Sequence, residues 1–60
     1  MTAYRLYHLD GSGRVSTAEW IDADSDDAAI AACRALRRPV ELWQRNRLVA
    51  RVTPPERGRP

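Results

Sequence analysis

Asp24-Ser25-Asp26-Asp27-Ala28-Ala29-Ile30-Ala31-Ala32-Cys33-Arg34-Ala35-Leu36-Arg37-Arg38-Pro39 is the stretch that decides the fold. Here the apolar residues take the helical period instead of alternating. Asp24 or Ser25 can cap the free amides at its start, and Asp26 and Asp27 add favourable negative charge in the first turn. Arg34, Arg37 and Arg38 supply the opposite charge at the far end, and Pro39 cannot continue a helix. The pattern predicts a helix from about residue 24 to residue 37. Steps of about 100° per residue gather Ala29, Ala32, Cys33 and Leu36 into one stripe, with Ile30 on its flank. Three of those four side chains are small, so the helix is expected to lie close to whatever it covers.

On both sides of this helix the period is two. Residues 3–9 (AYRLYHL) set Tyr4, Leu6 and His8 against Arg5, Tyr7 and Leu9, which reads as a strand. Asp10-Gly11-Ser12-Gly13 supplies turn residues, and residues 14–21 then alternate Val15, Thr17, Glu19 and Ile21 with Ser16, Ala18 and Trp20. Each set of this second strand holds one large apolar anchor, so its buried face stays open. Beyond the helix, residues 40–44 and 47–52 form a second hairpin about Arg45-Asn46. A two-residue loop would place Trp43 opposite Leu48 and turn Glu41 inward. A three-residue loop with Asn46 left-handed groups Val40, Leu42, Leu48, Ala50 and Val52, and is preferred for that reason. It sends Glu41, Trp43, Arg47, Val49 and Arg51 to the other face, where Trp43 can stack beneath Arg47.

The expected fold class is α+β: a ββαββ domain over residues 1–53, with one helix packed on one face of a four-stranded antiparallel or mixed sheet. Connection rules suggest a right-handed crossover between the hairpins and the strand order 2-1-4-3. Residues 54–60, rich in Pro and Arg, are expected to be a disordered tail. The chain resembles a group of short bacterial proteins that share three motifs: Y-R-L-Y-x-L-D-G-x-G (residues 4–13), D-D-A-x-A-I-A-A (around residues 26–32) and V-E-L-W-x-x-x-R-L-V-A-R (residues 40–51). The resemblance covers most of the chain. It implies the fold and carries no activity or binding residue.

Sixty residues bury only about 60% of the surface that the unfolded chain exposes, so the core must be thin. Cys33 is the single cysteine, which excludes an internal disulfide and fits a reducing, cytoplasmic setting. No segment has the roughly 20 apolar residues of a membrane span. All ten basic residues are Arg, a usage that points to a GC-rich bacterial source. The formal charge of +2 divides unevenly: residues 1–33 hold two Arg against six carboxylates, and residues 34–60 hold eight Arg against two.

Three constellations invite a chemical reading. The run from His8 through Asp10, Ser12, Gly13 and Ser16 to Glu19 has most of the oxygen spacing of a calcium loop, but His8 stands where a hard cation needs a carboxylate. Strand-like flanks replace the required helices, so a plain β-turn is expected and no metal or cofactor is assigned. His8 and Cys33 lack the partners of a nucleophilic pair or a zinc site, and Asp24, Asp26 and Asp27 suit a helix start better than acid–base work. No catalytic residue is proposed.

One helix leaves one sheet face uncovered, and that face is expected to hold large apolar groups. The expected function is therefore a non-catalytic interaction or scaffold module that self-associates as a homodimer, with a larger protein as the other partner considered. The expected interface residues are Trp43, Val49, Tyr7, Arg47 and Arg51. The second reading is weak, Arg-dependent nucleic-acid binding, disfavoured by the acidic first half.

Overall fold

Ser25 starts the helix. Its backbone is extended, at φ −156°, and its hydroxyl oxygen accepts the Ala28 N–H at 3.2 Å. Asp26 and Asp27 follow in the first turn, so charge and cap act at the same end. The computed structural model describes residues 1–54, with β1 (Thr2–Leu9), β2 (Val15–Ala23), α1 (Asp26–Ala35), β3 (Val40–Gln44) and β4 (Arg47–Val52) in the order ββαββ. The helix closes earlier than its charge pattern suggests. Leu36 is the C-cap, and Arg37 takes the left-handed value φ +58° while its amide donates to the Arg34 carbonyl. Residues 55–60, which hold nearly all of the expected tail, lie outside the described residues.

The four strands form one antiparallel sheet in the order β2-β1-β3-β4. The expected order 2-1-4-3 is corrected: β3, not β4, lies beside β1. Apolar content explains the choice. Tyr4 and Leu6 of β1 and Val40 and Leu42 of β3 are fully or almost fully buried, and putting these strands side by side concentrates them beneath the helix. β4, which carries Arg47 and Arg51, takes an edge where charged side chains reach water and discourage further strand pairing.

The helix covers the face made by Tyr4, Leu6, Ile21, Ala23, Val40 and Leu42, and contributes Ala29 and Cys33 to the same core. Of the predicted stripe, Ala32 and Leu36 are instead exposed, and Ile30 packs against the core. The buried stripe is therefore Ala29, Ile30 and Cys33. It is rotated toward Ile30, the one large aliphatic side chain within α1, because burying Ile30 removes more apolar surface from water than burying Ala32. Ile21 faces the core and Trp20 faces away, which settles the strand whose inner face the sequence left open.

The second hairpin combines features of both predicted loops. Gln44 pairs with Arg47 and Trp43 with Leu48, so the loop has two residues, and Arg45 rather than Asn46 takes the left-handed φ of +58°. A bulge then leaves Val49 unpaired, and Leu42 pairs with Ala50 and Val40 with Val52. The extra residue restores the apolar register that the loop alone would have broken. Glu41 thus stays outside the core. Val49 packs inward, and Leu48 moves to the uncovered face at 44% exposure.

Candidate functional site: the uncovered sheet face

Strand alternation and the observed register fix what the uncovered face carries. Trp20, Arg5, Trp43 and Leu48 form one row across all four strands, and Ala18, Tyr7, Glu41 and Arg51 form the next. Trp20 is 63% exposed, and Tyr7 and Trp43 are half-buried. Two indoles, a phenol and a leucine thus share a surface with no layer above it among the described residues.

Arg5 lies at the middle of this surface. Its guanidinium carbon sits 4.7 Å from the Trp20 ring centroid and 5.8 Å from that of Tyr7. Its Nε is buried without an acceptor among the described residues. The cation is held by aromatic faces instead of a carboxylate. Glu41, diagonal to it in the register, is turned away: one oxygen accepts Trp43 Nε1–H at 3.1 Å, and the other accepts Arg51 Nε–H at 3.0 Å, with Arg51 Nη2 at 2.8 Å. The indole of Trp43 is therefore oriented by a carboxylate that is itself held by Arg51. A shallow depression of about 480 Å³ opens at one end of the sheet, bounded by Met1, Thr2, Ala3, Trp20, Gln44 and Arg45.

Of the five predicted interface residues, Trp43, Tyr7 and Arg51 lie on this face. Val49 and Arg47 do not. The two-residue loop turns Val49 inward and sends Arg47 to the helix side, where it meets Asp26 at 3.3 Å and Gln44 at 2.6 Å. Arg47 therefore cannot stack on Trp43. Trp20, Arg5 and Leu48 belong to the face but were not named from sequence. Arg5 had a legible signal, since it alternates with Tyr4 and Leu6 and shares a set with Tyr7. Trp20 depended on a strand whose register the sequence left open, and Leu48 on the length of the second hairpin's loop.

The remaining polar groups serve the scaffold. Tyr4 donates its hydroxyl to Asp26 at 2.7 Å, and Arg47 adds an ion pair, fastening the helix start to β1 and β4. These bonds, Tyr4 first and Arg47 second, hold the Asp26 carboxyl below its usual range, and the same carboxylate pushes the Tyr4 phenol up. In the first turn, one Asp10 oxygen accepts from the Ser12 amide (2.9 Å), the Ser12 hydroxyl (2.7 Å) and the Arg14 amide (3.0 Å), which lowers its pKa. Gly13, at φ +87°, completes this β-turn in a backbone region that side-chain-bearing residues rarely take. His8 bonds Glu19 through Nε2 at 2.6 Å. Cys33 is a buried core group, and burial raises its thiol pKa.

Among the described residues no group of three or more His, Cys, Asp and Glu side chains is placed to hold a metal ion, and no helix is long and apolar enough to cross a membrane. No protein-family model matches the chain, and neither the curated proteins nor the solved structures give a significant match.

Proposed function

We propose that the chain is a small, non-catalytic interaction module that associates with a second copy of itself through the uncovered sheet face. The observation that carries this reading is the row Trp20–Arg5–Trp43–Leu48, lying beside Tyr7 on the face opposite α1. Burial of such groups stabilises by about 25 cal/mol per Å², and a domain of this size has little other surface to draw on. Tryptophan, tyrosine and arginine are also the residue types that most often dominate interface energetics. The polar clusters Asp10 with its turn, Asp26 with Tyr4 and Arg47, and Glu41 with Trp43 and Arg51 have structural duties, which supports a role without catalysis. Residence in the cytoplasm belongs to the same reading and rests on the single, buried thiol.

A second reading has one observation in its favour. Aromatic side chains flanking an arginine on an open sheet suit stacked bases of a single strand. Against it, Arg5 already covers one face of Trp20, which a base would need.

Thermal unfolding at two protein concentrations a hundredfold apart tests the proposal. Association with the native state makes Tm rise with concentration, and Trp43→Ala should flatten that dependence. A Tm independent of concentration in both proteins contradicts it. A complex with single-stranded oligonucleotide that persists at physiological salt and is lost in Trp20→Ala would favour the second reading.

A further inference from the structure

Arg5, Trp43, Glu41 and Tyr7 occupy the corners of one block on the two central strands, because Arg5 pairs with Trp43 and Tyr7 with Glu41. The block measures roughly 5 Å across the strands and 7 Å along them. Arg5 has no carboxylate partner among the described residues, while Glu41 is partly buried on the same face, its side chain 18% exposed, with Arg51 and the Trp43 indole on its two oxygens. A carboxylate has about four acceptor positions, so this one retains capacity for another donor.

Resting on the self-association reading above, we propose that two copies are registered by a reciprocal ion pair, Arg5 of each chain meeting Glu41 of the other. A two-fold axis in the interface plane that exchanges these two corners runs close to the remaining diagonal, passing within about 1.5 Å of the Trp43 and Tyr7 positions. Trp43 then faces its own symmetry mate at the centre of the contact. The other anion on this face is Asp22, opposite Ala3. Exchanging Arg5 with Asp22 would put the axis through Trp20 and Ala3 at a corner of the sheet and leave Trp43 and Leu48 in water. Only the Glu41 exchange centres the buried area on the apolar row, and it gives the unpaired guanidinium its carboxylate.

The test uses two single variants, Arg5→Glu and Glu41→Arg, in separate chains. Each alone sets like charges against each other across the axis, and its dimerisation should weaken at least tenfold by sedimentation. An equimolar mixture restores both ion pairs, and a heterodimer should return at the concentration where wild type dimerises. In a Cys33→Ala background, Tyr7→Cys, also beside the axis, should cross-link to itself on mild oxidation at a rate at least tenfold above Trp20→Cys. Wild type that dimerises while both variants dimerise equally well, or folded variants that fail to pair on mixing, would overturn this register and leave self-association standing. Equal cross-linking from Trp20→Cys would do the same, even if the charge variants do not fold. A monomeric wild type would remove both.

Discussion

Tyr4, Asp26 and Arg47 show how one carboxylate ties three elements together, and its titration makes the tie measurable. The Asp26 carboxyl is held below its usual range by the Tyr4 hydroxyl and the Arg47 guanidinium, so the folded state binds its proton less readily than the unfolded chain does. The stabilisation is therefore present above the unfolded value, about pH 4, and is lost as pH falls through the lower folded value. The Tyr4 phenol is shifted the opposite way, because deprotonation would forfeit the hydrogen bond it donates to Asp26 and set a phenolate against that carboxylate. Its contribution is complete below about pH 10 and disappears as pH rises through the raised folded value. Urea midpoints between pH 2 and 5 should fall in wild type and fall less steeply in Asp26→Asn. Asp10, held low by its turn, accounts for the slope that remains. The same slope in both proteins would show that the tether contributes nothing.

Local backbone and core packing act at the scale of the elements. Arg37 ends α1 in a left-handed conformation that disfavours a residue with Cβ by about 1 kcal/mol. Arg37→Gly should accordingly raise Tm by several degrees, as about 1 kcal/mol does in a domain of this size. An unchanged or lower Tm would mean that the glycine's extra freedom in the unfolded chain offsets the relief. Leu42 lies at the other extreme: it is fully buried on a central strand, and Leu42→Ala should cost about 2–5 kcal/mol. A chain of 60 residues has about 3–9 kcal/mol in all, so this variant should lose roughly half of its stability and unfold at a markedly lower temperature by circular dichroism.

The elements themselves were legible because period and punctuation agree: alternation around Tyr4 and Leu6, Ser25 before the helix, Pro39 after it. Strand order was not, since it depends on which strands are most apolar on their inner faces, and that required the register. The inward turn of Val49 and the placing of Leu48 opposite Trp43 follow from the two-residue loop, which the hydrophobic pattern disfavours because the compensating bulge after Leu48 is not visible in it. Arg47 was assigned to the wrong side for the same reason.

Two unequal faces define the whole molecule. One is closed by α1 over Tyr4, Leu6, Val40 and Leu42; the other presents Trp20, Trp43, Tyr7 and Leu48 around Arg5. Four strands about 4.8 Å apart, with about six residues each in contact, give a face of roughly 19 by 20 Å. A contact of that size, roughly 800 Å² over both chains, falls below the stable class and among weak, transient interfaces, so a micromolar dissociation constant is expected. Trp43→Ala should weaken it by roughly thirtyfold, the effect of losing about 2 kcal/mol at the centre of an interface. Sedimentation equilibrium of the wild-type chain from about 1 to 200 μM, the range bracketing such a constant, addresses self-association most directly. The molar mass should climb from that of the 6.8 kDa chain toward twice that value. A mass that stays at one chain across the whole range, with both tryptophans equally open to acrylamide quenching throughout, would contradict the account.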